Sequence, residues 1–453
     1  MVNGHLSTVN LKRVLLWVIV APIALFILLM VLLYVPPVQN FVCDKAASIA
    51  SESLGMDITI GRVDLRFPLN LLAHDVRAVQ QGDTLLDVGT LNVRVKAWPL
   101  FKGKVDIQKA EIENARLNSA NLIEGLLVKG TVGNLSLESH HVDLNTEEAL
   151  INDVSLSDAQ MYVAYADTLP SDSISEPVNW VIRVEKLALN NVGVDFEMPL
   201  DTFQLSTHVN EAQLKDGLVD IKNARYEVNN FTLDARKLAL DMGEDKRANK
   251  GDGIDPSHLA LYQIRMEADS ILYQEPDIRA VIQEMSLYER SGFELSSLTG
   301  RFLADNQGMH LDDIRLLTPH SEASLQSEIP LVNGQLSKVN PFTARLIARL
   351  GKEDLLAVLG KETLDENFRK QYPIHPLVLR TQVNGTLNRL DISQFRADLP
   401  GAISLNSHGT LYNITDSLKR SGQMTVQAQT GRLGFLLGLA GIKAGDKSVG
   451  YPR

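Results

Sequence analysis

From Asp57 onward, apolar and polar residues alternate with a period of two. Ile58 and Ile60, then Leu91, Val93 and Val95, then Val105 and Ile107 take every second position. Side chains two apart in a strand share a face, so the pattern predicts strands with one apolar face. Gly82-Asp83, Gly103-Lys104, Asp216-Gly217, Asn333-Gly334 and Asn384-Gly385 read as turns between them. A longer motif lies over the alternation, with apolar or small residues at i, i+3, i+5, i+8 and i+10. Ile107, Ala110, Ile112, Ala115 and Leu117 fit it. So do Ile151, Val154, Leu156, Ala159 and Met161, and Val184, Leu187, Leu189, Val192 and Val194. Leu387, Leu390, Ile392, Phe395 and Ala397 form a fourth copy. Partial copies lie at Val219, Ile221, Ala224 and Tyr226, and at Met309, Leu311, Ile314 and Leu316. Steps of two keep one face, and a step of three resets the phase as a bulge or tight turn does. The copies are unevenly spaced, which predicts stacked strand units of one design rather than a strict solenoid.

The N-terminus follows a different rule. Residues 14–35, from Val14 to Val35, carry no charge. A helix of this length spans about 33 Å, against a hydrocarbon core of about 30 Å. Pro22 sits inside the run, and Trp17 and Tyr34 stand near its ends, where amphipathic rings prefer the interface. The run exceeds a signal peptide's apolar core and lacks a small-residue cleavage site, so it reads as a retained anchor. Lys12 and Arg13 before it place residues 1–13 in the cytoplasm and the bulk of the chain outside. Residues 36–56 follow as an amphipathic helix, opened by Pro36-Pro37, with Val38, Phe41, Val42, Ala46, Ile49 and Leu54 on one face and Gly55 as its cap.

One helical island is expected at residues 340–373. Asn340-Pro341 has N-cap form, Phe342, Leu346, Ile347 and Leu350 share a helical face, and Leu355, Leu356 and Leu359 continue it to Gly360. The expected order is therefore a cytoplasmic tail, the anchor, the juxtamembrane helix, a repetitive β region at 57–339, the helical insert, and a continuing β region at 374–453 that ends with an open strand edge, as in part of a longer chain. The fold class is mainly β: a transmembrane helix, then an elongated, repetitive antiparallel sheet curled into a groove, with a short helical insert.

Chemistry is scarce. There is no phosphate-binding loop, nucleophile elbow or His-Glu-x-x-His motif, so no catalytic residue and no enzyme activity are expected. His140-His141 are adjacent and so point to opposite strand faces, a poor start for a metal site. Asp312-Asp313 and Glu147-Glu148 lack any calcium-loop spacing. No cofactor is expected. The single cysteine, Cys43, excludes an intramolecular disulfide, and a net charge of −11 argues against nucleic acid as a partner.

The order of these elements resembles the AsmA/TamB-like proteins of the Gram-negative envelope. The resemblance rests on the anchor, Pro36-Pro37, Leu54-Gly55-x-x-Ile58-x-Ile60-Gly61-Arg62-Val63, Asp83-Thr84-Leu85-Leu86, Trp98-Pro99-Leu100-Phe101 and the Ile-x-x-Ala-x-Ile-x-x-Ala repeat. It is clear over roughly residues 14–120. It implies an inner-membrane anchor with the bulk in the periplasm, and a lengthwise-curled sheet whose aliphatic groove moves phospholipid toward the outer membrane. The alternative it implies is a scaffold in outer-membrane protein assembly or secretion, with an outer-membrane assembly-type protein as partner. Ile112, Leu117, Leu156, Met161, Leu189, Val194 and Ile392 are the expected groove-lining residues. The same alternation serves a closed, dry β-sandwich equally well.

Overall fold

The computed structural model describes residues 55–431, apart from 67–69, 81, 97–106, 120–124, 144–145, 166–178, 244–252, 333–334, 337–338, 364–368 and 371, together with Ala47, Ser48 and Ser51. The anchor at 14–35, with Val14, Trp17, Pro22, Tyr34 and Val35, lies outside the described residues. Of the juxtamembrane helix, Ala47, Ser48 and Ser51 are described and helical. Among the described residues, no helix is long and apolar enough to cross a membrane.

The strands are β1 (Asp57–Arg66), β2 (Asn70–Gln80), β3 (Asp83–Val95), β4 (Ile107–Asn118), β5 (Leu126–Asp143), β6 (Glu148–Tyr165), β7 (Val181–Met198), β8 (Phe203–Asp220), β9 (Arg225–Met242) and β10 (Ala260–Gln274). They continue with β11 (Asp277–Glu289), β12 (Glu294–Ala304), β13 (Gly308–Leu317), β14 (Glu322–Val332), β15 (Gln335–Leu336), β16 (Phe342–Leu350), β17 (Leu377–Gly385), β18 (Arg389–Leu399), β19 (Ile403–Tyr412) and β20 (Ser421–Thr430). One helix, α1 (Lys352–Thr363), follows β16. Each strand pairs with the next, except that β15 is a two-residue side hairpin on β14, and β14 passes the ladder to β16. The result is one long, open, curled sheet of 19 strands. Neighbours run antiparallel, save β6 and β7, which run parallel from Glu148↔Val181 to Ala164↔Glu197.

The curl has a visible cause. Two kinks cross strands of the first half in register, the first starting at β1 and the second running through β6–β10. At the first, the ladder skips Gly61 opposite Asp75, Gly89 opposite Asp75 and Asn114, and Gly133 opposite Asn114 and Asp158. It then skips Asp158 beside Asn191 and Asn191 beside Asn210. Asp75, Asn114, Asp158 and Asn191 adopt φ of +54, +56, +54 and +52°. Asp and Asn tolerate this left-handed conformation better than other residues with a Cβ. It swings the side chain over the neighbouring strand: a Cβ on Gly133 would lie 2.8 Å from the Asp158 Cβ. Crowding therefore requires glycine at 133, while a Cβ on Gly61 or Gly89 would sit 3.0 or 3.3 Å from the Asp75 or Asn114 Cβ and force that neighbour to give. Asn191 closes the line by donating from Nδ2 to Asp158 Oδ1 at 2.6 Å.

The second kink passes Asn152, Glu185, Asp216, Asn229 and Ser270, with φ of +52° at Asp216 and +53° at Ser270. Asp216-Gly217, expected as a turn, is thus a bend inside β8. The repeat's two steps of three are these two kinks: Ile151→Val154 and Val184→Leu187 span the second, Leu156→Ala159 and Leu189→Val192 the first. Val219, Ile221, Ala224 and Tyr226 are no copy of the repeat, because Asp220–Arg225 is the turn between β8 and β9.

The 340–373 island is helical in only part of its span. Residues 342–350 form β16, where Phe342, Ala344, Leu346, Ala348 and Leu350 alternate with exposed Thr343, Arg345, Ile347 and Arg349. Counting the two alanines as apolar turns the helical spacing into a period of two, and pairing with β14 and β17 decides it. The second part, 352–363, is helical as expected, with Gly360 breaking it at φ +76°. The N-terminus of α1 is held by buried Asp354, which accepts hydrogen bonds from Thr318 and Ser321.

Candidate functional site

The inner face of β2–β10 is built from four rows of directly paired residues. The first runs Val76, Val88, Ala115, Val132, Ala159, Val192, Val209, Ala235, Ile264. The second runs Ala73, Leu91, Ile112, Leu135, Leu156, Leu189, Ala212, Leu233, Met266. The first kink lies between them. A third, across the floor, runs Ala110, Leu137, Val154, Leu187, Leu214, Phe231, Ala268. A fourth, up one wall, runs Leu86, Leu117, Gly130, Met161, Val194, Thr207, Leu238, Leu261. No row contains a charge. At about 4.8 Å per strand, eight strand spacings make a gutter about 38 Å long.

Residue size follows the bend. Where the sheet creases, the inner corner takes small side chains: Ala159 is fully buried, and Ala73, Val88, Val192 and Ala235 are nearly so. On the flat floor and wall, Leu156, Leu187, Leu189, Met161, Val194 and Phe196 remain half-exposed. Nothing among the described residues covers them, since the extensive contacts of each strand are with its ladder neighbours. An open gutter, rather than a dry sandwich, is the arrangement of the described residues.

The expected lining residues sort cleanly. Ile112, Leu156 and Leu189 stand in one row, and Leu117, Met161 and Val194 in another. Ile392 shares the face but lies far along the sheet in β18, in a row that runs Phe302, Leu311, Ser327, Ala344, Val383, Ile392. The kink-forming Asp75, Asn114, Asp158 and Asn191 were not singled out from the sequence, although the repeat's steps of three mark the positions of Asn114, Asp158 and Asn191.

The outer face is polar, and part of its charge is matched in ion pairs. Lys109 Nζ lies 2.8 Å from Glu111 and 2.9 Å from Glu138. Hydrogen bonds to these carboxylates raise the Lys109 pKa, and the bond from Lys109 lowers that of Glu111. A cleft of about 380 Å³ on this side is lined by Tyr162, Asp195, Glu197, Lys237, Asp241 and Arg290, with the Tyr162 hydroxyl donating to Glu197 at 2.8 Å. Among the described residues, no three His, Cys, Asp or Glu side chains gather as metal ligands. Compared with family models and with curated proteins, the chain matches none.

Proposed function

We propose that this chain is a non-enzymatic, inner-membrane-anchored envelope protein whose gutter carries phospholipid acyl chains toward the outer membrane through the periplasm. The uncharged, uncovered inner face of β2–β10 is the observation that carries this reading. Each methylene removed from water contributes about 0.8 kcal/mol, so hiding half of a sixteen-carbon chain contributes about 6 kcal/mol. A bilayer interior offers the same relief. Transfer between bilayer and gutter is therefore close to neutral, as a conduit needs, while escape into water is not. The lipid headgroup projects from the open side, where no covering layer has to part.

The test places a photo-crosslinking residue at Leu189, inside, or at Ala188, outside, in the full chain in cells with labelled phosphate. Phospholipid adducts at 189 and none at 188 are expected. Equal labelling at both positions, or none at either, defeats the proposal. A second reading, a scaffold for outer-membrane protein assembly or secretion, draws on β20. This strand is exposed at all ten positions, bears no charge, and among the described residues pairs only with β19. Such an edge accepts a partner strand. The scaffold reading predicts that a protein crosslinks at Thr425 and that Leu189→Asp leaves function intact.

A further inference from the structure

The outer face of β13–β18 gathers several arginines in one place. One row of directly paired residues reads Arg315, Ser324, Ile347, Arg380, Arg396. Arg380 and Arg396 are direct cross-strand partners, and like charges so placed destabilise a sheet. Arg345 stands two residues from Ile347 on the same face. The side chains of Arg315, Arg345 and Arg380 form no ion pair or hydrogen bond among the described residues. The two carboxylates of the adjoining row are already engaged, Glu322 by Arg349 at 3.7 Å and Asp398 by Arg396 at 3.3 Å. Apolar groups sit within this basic field: Ile347 is 36% and Leu317 47% exposed, and both line a shallow pocket of about 450 Å³ with Arg315, Arg349 and Arg380. All this occurs on a chain with a net charge of −11.

We infer that this face docks an extended acidic segment of a partner protein, with an apolar side chain between its carboxylates. Three properties favour that occupant. The cations are all arginine, whose planar fork grips carboxylates bidentately and is enriched at protein interfaces. The row is linear and spans about 19 Å over four strand spacings, the length of about six extended residues. Ile347 is the central residue of the basic row, where the middle of such a segment falls, and Leu317 stands at one end of the adjoining row.

The test uses the full chain in neutral nanodiscs and a fluorescein-labelled peptide, Gly-Glu-Asp-Leu-Glu-Asp-Gly. We expect saturable binding that weakens at least tenfold in Arg380→Glu/Arg396→Glu, about threefold in the double lysine variant, and steeply between 50 and 500 mM salt. Arg380→Glu alone turns a like-charge pair into an opposite-charge one, so it should lose peptide while its unfolding midpoint rises. An arginine kept for stability gives the reverse. The inference fails if the wild type shows no saturable binding at 1 mM peptide, or if the double variant binds equally well. It also fails if the substitutions abolish binding to 7:3 phosphatidylcholine:phosphatidylglycerol vesicles and spare the peptide, which assigns the face to an anionic membrane.

Discussion

The strands up to β10 and those after it obey the same alternation but bend differently. In β1–β10 the irregular residues line up from strand to strand and make two shared corners. In β11–β20 a single line of them runs Gly300, Asp313 at φ +50°, Gln326, Arg345, Gln382, Ser393 and His408, and β14, β16 and β17 pair straight through it without a register shift. The linings differ too. The first region's rows are interrupted only by Gly130 and Thr207, whereas Ser327, Thr381 and Ser407 enter those of the second. Kinks that line up on every strand fold a sheet as a sheet; where strands pair straight through the line, the corner is interrupted. A continuous apolar gutter therefore depends on where the odd residues fall as much as on the alternation itself.

The largest expected effect separates the linings. Leu189→Asp should cut phospholipid crosslinking at least tenfold, because a carboxylate in the floor must be desolvated whenever a chain passes. Leu379→Asp, on the same face of β17, should cut it only a few-fold. Thermal unfolding of both variants should stay close to wild type, since both leucines are half-exposed. Equal losses in crosslinking would remove the functional distinction between the regions.

Next come the kinks. Asn191→Val forces a β-branched residue into a left-handed site and removes the bond to Asp158. We expect a loss of about 2–3 kcal/mol in urea unfolding. Asp313→Val carries the strain but loses only a weak, exposed contact to Arg301 at 3.5 Å, so about 1–2 kcal/mol is expected. A double-mutant cycle sharpens the contrast. Asp158→Gly with Asn191→Gly should couple by about 0.5–1 kcal/mol, while Asp158→Gly with Asp313→Gly should be additive within about 0.3 kcal/mol.

The smallest effect is a matter of pH. Asp255 accepts from His258 Nδ1 at 2.8 Å, in a loop whose Ile254 amide donates to the Val358 carbonyl of α1. The His258 bond holds the Asp255 carboxyl below its usual pKa. Its folded pKa is thus lower than its unfolded one. The stabilisation is present above about pH 4 and fades as pH falls through the folded value. Amide exchange at Ile254, corrected for the intrinsic rate, should quicken only in acid. A loosening between pH 5 and 7 would contradict the assignment.

The alternation made the strands and their apolar face legible, and the two steps of three marked both corners. Their meaning was not legible, because Asn114 or Asp158 at a phase break looks like any polar strand residue. That Gly89 and Gly133 face them depends on register, which spacing along one chain does not contain. Asp216-Gly217 has the composition of a turn and sits in a bend because β8 continues through it on both sides. Residues 342–350 satisfy both periods, and only the neighbouring strands choose between them. The arginine row is likewise invisible in sequence, where its members are scattered from 315 to 396.

On β6, β7 and β8 the two corners are six residues apart, and on β9 and β10 seven. The calibre of the gutter is thereby written into each strand, while its reach is written into the number of strands. One more hairpin of the same design would extend it by about 10 Å and leave the bore untouched. Span and bore can then vary independently, and a duplicated hairpin would join the channel without any change to its neighbours.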